Sequence, residues 1–127
     1  MIQFKVNGLP VALKRPRMTR RGIVYDPSKK EKQMFDIKCS KYRPKKAWTG
    51  PIEIEIQFYF KRAHSHIKKN GELRKNAPQQ HTAKPDLDNL VKFVLDALKG
   101  FYIDDRQIII LKASKCYIYG LSATQIK

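Results

Sequence analysis

The sequence predicts an α+β fold, a single domain over residues 1–127 with a mixed β-sheet of several strands and two main helices. Three patterns carry that prediction. Ile52, Ile54, Ile56, Phe58 and Phe60 alternate with Glu53, Glu55, Gln57 and Tyr59, the period-two signature of a strand with one buried face. Leu87, Leu90, Val91, Val94, Leu95 and Leu98 recur at steps of three and four and stop at Gly100, as in an amphipathic helix with a glycine terminator. Gln107 opens a second strong strand that runs through Ile108-Ile109-Ile110-Leu111 toward Tyr119. Its nearly continuous apolar start implies burial on both faces, or an interface on one.

The remaining elements follow in chain order. Ile2, Phe4 and Val6 alternate with Gln3, Lys5 and Asn7, a strand closed by Gly8-Leu9-Pro10. Lys14 to Tyr25, with Gly22 after two arginines and between short β-prone runs, predicts a basic hairpin or extended loop. Ser28 followed by Glu31 is a capping box, so a helix is expected from about Lys29 to the residues before Pro44. Its apolar positions Met34, Phe35, Ile37 and Tyr42 are few, which suits a helix covering one side of the sheet. Lys61 to Lys84 is polar and without periodicity, and loops of that length in a small domain usually serve function.

Charge narrows the function. The chain carries 27 Lys and Arg against 11 acidic residues, a formal net charge of +16. Residues 1–85 hold 21 basic and 6 acidic groups, whereas residues 86–127 hold 6 and 5. So much uncompensated positive charge repels itself unless a polyanion is the partner, and nucleic acid is the natural one. No basic amphipathic helix favours a membrane surface, and no apolar run reaches the roughly 20 residues of a membrane span. The N-terminus alternates instead of forming an apolar block, so it is expected to be a strand and not a signal peptide. Cys39 and Cys116 are expected to be free thiols of a cytoplasmic, nucleoid-associated protein.

The carboxylates are concentrated where the chemistry is expected. Two residues i and i+2 inside a helix point roughly 200° apart and cannot share an ion. With Asp86 as the non-helical N-cap and Asp88 as the second helical residue, that restriction lifts, and the helix dipole favours both charges. Asp104-Asp105 supplies a third carboxylate if the return strand brings it near the helix entrance. Such an oxygen-rich set suits Mg²⁺, which keeps several waters and takes few carboxylates. Lys92, one turn beyond Asp88, is positioned to stabilise charge on a phosphate. Each residue also has a plain structural role: Asp86 as a cap, Asp88 and Lys92 as a surface ion pair, Asp104-Asp105 as turn residues. Together, in a strongly cationic chain, they favour a metal site, because bare carboxylates repel DNA.

Lys84-Pro85-Asp86-Leu87-Asp88-Asn89-Leu90 with Lys92, followed by Asp96-Ala97-Leu98 and Asp104-Asp105-Arg106-Gln107-Ile108, resembles the signature of RusA-type Holliday-junction resolvases. Arg15-Pro16-Arg17 with Gly22, Tyr25 and Pro27 is similar to the phage and Gram-positive branch of that family. The likeness extends from about Val6 to Ile118, and its most specific part is the pairing of DLDNL with the later DD. The resemblance implies that Asp86, Asp88 and Asp105 are the catalytic, metal-binding carboxylates, with Lys92 as the assisting lysine. It further implies a homodimer that uses Mg²⁺ to cut four-way DNA junctions by paired symmetric nicks, in recombination and repair. A rival from another class is a protein that only binds junctions or RNA, its acidic cluster structural. A second rival cuts flaps or other branched DNA.

Phosphate contacts are expected from Lys14, Arg15, Arg17, Arg20 and Arg21 in the basic segment, and from Lys68, Lys69 and Lys84 in the long polar stretch. His64, His66 and His81 lack the neighbouring Cys or carboxylate ligands that zinc would need. Trp48, beside Lys45-Lys46, suits either base stacking or filling of the core edge. Phe93 and Ala97 widen the apolar face of the second helix on the side away from Lys92, toward a second subunit or beneath the basic loop.

Overall fold

The computed structural model describes residues 2–118 and 121–127. Strands β1 (Phe4–Asn7), β4 (Ile52–Lys61), β5 (Ile108–Ile118) and β6 (Ala123–Ile126) form one sheet in the order β1-β6-β4-β5. β4 pairs with β5 in parallel and with β6 antiparallel, and β6 pairs antiparallel with β1, so the sheet is mixed. Strands β2 (Arg17–Met18) and β3 (Val24–Tyr25) form a separate two-stranded hairpin. The helices are α1 (Lys29–Cys39) and α2 (Leu87–Ala97). The far end of the predicted second strand, Tyr119, lies outside the described residues.

Alternation along β4 has the predicted effect. Ile54, Ile56, Phe58 and Phe60 are buried, while Glu53, Glu55, Gln57 and Tyr59 lie on the opposite, more accessible face. α2 lays Leu90, Val91, Val94 and Leu98 into this core, joined by Phe4, Val6, Phe101, Tyr102 and Ile126. Gly100 ends the helix at φ +105°, a conformation side-chain-bearing residues avoid. Both cysteines are free; Cys39 is fully buried and Cys116 half-buried. Burial pushes the Cys39 thiol up to about 12, so it is inert at neutral pH.

The Ser28 capping box is corrected, and for Phe93 with Ala97 and for β5 one of the two expected alternatives is removed. Ser28 does stand at the N-cap of α1, but its side chain makes no cap hydrogen bond. The hydroxyl instead accepts from the Lys14 backbone N–H at 2.8 Å, which ties the start of the basic segment to α1. Phe93 is 1% exposed and meets Phe35 of α1 edge-on with ring centroids 5.7 Å apart, so the ring joins the two helices within one chain and does not reach a second subunit. Ala97 is likewise buried. Burial of β5 on both faces does not occur within one copy: β5 is an edge strand, and Ile109, Ile110 and Leu111 are 63%, 42% and 43% exposed. A register shift between Ile52 and Glu53 leaves Ile109 without a partner on β4.

The long polar stretch is more ordered than its composition suggests. Ile67 bridges Leu73 around a turn in which Lys68 N–H donates to Glu72 O at 2.7 Å and Gly71 N–H to Lys68 O at 2.9 Å. Asn70-Gly71 is the sequence signal for this small hairpin. Further on, Gln80 bridges Cys116 and covers the C-terminal part of the β5 edge. Trp48 meets Phe101 edge-on at 6.3 Å and borders the core while remaining 39% exposed.

Replacing Phe93 with alanine is expected to lower stability by about 3–5 kcal/mol in urea denaturation, with self-association of the folded protein unchanged. Weakened association at unaltered stability would return the ring to a subunit interface.

Candidate functional site

The entrance of α2 is built as its sequence requires. Asp86 is the N-cap, with extended backbone at φ −69° and ψ 142°, and its carbonyl accepts the first helical hydrogen bond from Leu90 N–H at 3.2 Å. Its carboxylate makes no cap hydrogen bond and stands exposed. Asp88, in the first turn, is also exposed, with Lys92 Nζ 3.9 Å from its carboxylate. The apolar face of α2 is fastened to the sheet, so two carboxylates and a lysine are presented to solvent from a rigid support. At these exposures the Asp88–Lys92 pair contributes little to stability, and Lys92 is free to turn toward a ligand phosphate.

The segment leading into Asp86 is held from β5. Lys115 Nζ donates to Ala83 O at 2.8 Å and to Pro85 O at 2.7 Å. The Lys84–Pro85 peptide is cis. Lys115 is aligned with Phe58 on the helix-covered side of the sheet, and this grip was not anticipated. Its one sequence signal is a lysine at an inward-facing position of a strand.

Asp105 lies elsewhere. Asp104 accepts from Arg106 N–H at 2.8 Å and from the Arg106 guanidinium at 3.0 Å, capping a single 3₁₀ turn, Asp105–Gln107. Those contacts hold the Asp104 carboxyl below its ordinary range. Asp105 is exposed and accepts from the Tyr102 hydroxyl at 3.0 Å, and the same hydroxyl donates to Leu95 O at 3.2 Å. Burial, reinforced by the charge of Asp105, raises the Tyr102 phenol well above its usual range, so it stays a protonated donor. Leu95 is nine residues beyond Asp86, about 13 Å along the helix at 1.5 Å per residue. Among the described residues no three His, Cys, Asp or Glu side chains are grouped so that they could hold one ion. Asp86 and Asp88 share the mouth of α2, and Asp105 stands beside its last turns.

The cationic residues are all at the surface. Lys14, Arg15, Arg17, Arg20 and Arg21 belong to a continuously exposed stretch, residues 14–25, that includes the β2–β3 hairpin. Lys68 and Lys69 sit in the turn of the small second hairpin, and Lys84 is exposed two residues before Asp86. The base of the β2–β3 hairpin is tied to the helices: Leu13 N–H donates to Asn89 O at 3.0 Å, directly after Asp88. Lys32 of α1 joins Asp26, below the hairpin, to Asp96 of α2, at 2.6 and 3.2 Å. The Lys32 ammonium and the Ser28 N–H hold the Asp26 carboxyl low.

This exposed pair of aspartates stands in a chain of net charge +16, a balance suited to a phosphate backbone. The family model described as Endodeoxyribonuclease RusA matches residues 7–126, and the chain belongs to that family. Over 124 residues the chain is 40% identical to the Uncharacterized protein YqaN of Bacillus subtilis (strain 168), a match covering 91% of this chain and 87% of that one. Among the described residues no helix is long and apolar enough to cross a membrane.

Two histidines serve packing. His81 stacks on Phe60 at 3.9 Å between ring centroids, and His66 meets Tyr117 edge-on at 4.7 Å. Burial of His81, with the nearby charge of Lys115, lowers its imidazole pKa below the ordinary value. A depressed histidine is neutral in the fold but takes a proton in the unfolded chain once pH falls below about 6.5. Its contribution to stability is therefore complete above that pH and lost on acidification. The melting temperature is expected to fall between pH 7 and pH 5.5, less steeply in His81→Phe, as read by thermal denaturation across that range.

Proposed function

We propose that the protein is a divalent-metal-dependent endodeoxyribonuclease that resolves four-way DNA junctions as a homodimer, in recombination and repair, with Mg²⁺ as its cofactor. The observation that carries this reading is the Asp86–Asp88 pair: two exposed carboxylates, neither used to cap the helix, at the mouth of α2 in a chain otherwise dominated by cations. Their donor set fits Mg²⁺, which is held by one or two carboxylates and completes its shell with water and substrate phosphate. When bound, such an ion supplies an activated water and a polarised phosphodiester. In this reading Asp86 and Asp88 hold and orient it, and Lys92 stabilises charge developing on the scissile phosphate. Lys14, Arg15, Arg17, Arg20, Arg21, Lys68, Lys69 and Lys84 grip the backbones of the DNA arms.

Asp105 enters this scheme through a second copy. The stretch Ile108–Ser114 of the β5 edge is left open where the Gln80 segment ends, and its exposed Ile109, Ile110 and Leu111 are what a pairing strand would cover. Antiparallel pairing of this stretch with itself, about a twofold axis near Ile110 and Leu111, would bring Asp105 of the partner subunit toward the Ser114–Lys115 end of the open edge, where the Gln80 segment takes over. Lys115 is the residue that grips Pro85, next to Asp86. Two shared sites, each with Asp86 and Asp88 from one subunit and Asp105 from the other, suit paired cuts by a twofold dimer.

Asp88→Asn is expected to slow cleavage of a synthetic four-way junction by at least about a hundredfold, the scale of losing one preorganised charge, while junction binding persists. Undiminished cutting would overturn the catalytic reading, and equal cutting of a flap or linear duplex would overturn the junction preference. Mixing Asp88→Asn with Asp105→Asn subunits tests sharing directly. A heterodimer then contains one intact site and one doubly altered site, so single nicks should reappear although neither parent cuts. Persistent inactivity of the mixture, with exchange of subunits verified, would place each site within one chain.

A further inference from the structure

We infer that the β2–β3 hairpin is a wedge that enters the branch point of the DNA and separates its bases there, an assignment that rests on the junction reading above. The phosphate contacts proposed for this segment account for its arginines but not for its apolar side chains. Met18, Ile23 and Val24 are 67%, 61% and 63% exposed, a high value for three large apolar residues in one short element. The strand register arranges two of them. Met18 is paired with Val24, so both stand on one face, while Arg17 and Tyr25, also paired, stand on the other. Thr19 closes the turn, its N–H donating to Ile23 O at 2.8 Å and its hydroxyl accepting from Ile23 N–H at 3.1 Å. Arg20 and Arg21 occupy the tip, and Gly22 takes φ +82°. The element is thus a ribbon with Met18 and Val24 on one face, Ile23 beside the turn and a doubly cationic tip.

Two facts choose the occupant. The first is charge: residues 14–25 contain five cations and no acidic residue, which matches a surface crowded with phosphates and repels a second copy of this cationic chain. The second is anchorage. A two-stranded ribbon is marginally stable alone, and this one is held at its base by Leu13 to Asn89, Lys14 to Ser28, and Lys32 to both Asp26 and Asp96. The Leu13 bond attaches one foot of the ribbon to the residue after Asp88, at the end of α2 that carries the carboxylates, and Lys32 links the other foot, at Asp26, to Asp96. DNA bound through a metal ion at those carboxylates would lie near the foot of the ribbon. Inserted apolar side chains, methionine and isoleucine among them, unstack base steps in other DNA-bending proteins. Bases at a branch point have already lost a stacking neighbour, so opening them costs less than opening a continuous duplex.

The test uses the full chain, in Ca²⁺ or EDTA so that no strand is cut, with four-way junctions carrying 2-aminopurine either at the branch point or in mid-arm. Saturating wild-type protein should raise the branch-point fluorescence several-fold and leave the mid-arm probe unchanged. The triple variant Met18→Gln, Ile23→Thr and Val24→Thr keeps strand-compatible residues. It should remain dimeric and bind the junction with the fluorescence rise abolished. A photoreactive phenylalanine analogue in place of Ile23, which leaves the rest of the hairpin intact, should crosslink to branch-point nucleotides. An equal fluorescence rise in the triple variant, crosslinks confined to arm interiors, or conversion of the variant to monomers would each overturn the wedge. Wild-type protein that binds and cuts the junction without any fluorescence change would overturn the wedge alone. Failure to bind the junction at all would overturn the junction reading, and the wedge with it.

Discussion

The parallel pairing of β4 with β5 governs where the three candidate carboxylates, Asp86, Asp88 and Asp105, can stand. Parallel neighbours cannot be joined by a tight turn, so the chain must travel back over the sheet, and α2 is the element that does so. A crossover helix begins near the end of the first strand and finishes near the start of the second. Asp86 and Asp88, at the beginning of α2, and Asp105, at the approach to β5, therefore fall at opposite ends of one helix. Their separation within a chain is a property of the connection and not an accident of side-chain rotamers. A site that uses all three must draw on two chains.

That constraint gives the exposed edge of β5 its meaning. Three large apolar residues on a free edge are a hazard for a protein that stays alone. The same edge becomes useful if its covering strand brings the missing carboxylate. Lys115 belongs to the same logic. It is a buried-side lysine whose ammonium serves two backbone carbonyls just before Asp86, so the strand that borders the open edge also fixes the entry to α2. The open edge and the entry to α2 are mechanically joined.

Electrostatics supply the other half of the design. A chain of net charge +16 attracts phosphate from any direction, and attraction of that kind has no sequence or shape preference. Selectivity has to come from where the cations and apolar groups are rigidly mounted. Ser28 illustrates how local preference yields to that need. Its hydroxyl forgoes the helix N-terminus to hold the Lys14 backbone, and Lys32 spans two aspartates from different elements. Both contacts stiffen the base of an arm that has no core of its own.

Local periodicity settled a good deal without any tertiary knowledge. The β4 alternation, the α2 stripe ending at Gly100, the start of α1 and the Asp86 cap were all legible, because each is decided by neighbours within a few residues. The basic hairpin was legible from Gly22 and its flanking β-prone residues. The identity of the metal-ligand candidates also came from the sequence, through motif and charge. Strand order did not, since nothing in the run Ile108 to Leu111 says whether its partners lie on one side or two. The destination of Phe93 depended on where α1 packs, and the grip of Lys115 on a loop more than thirty residues away in places. Whether Asp105 joins Asp86 and Asp88 was decided by the direction of a crossover, a long-range property that no window along the chain contains.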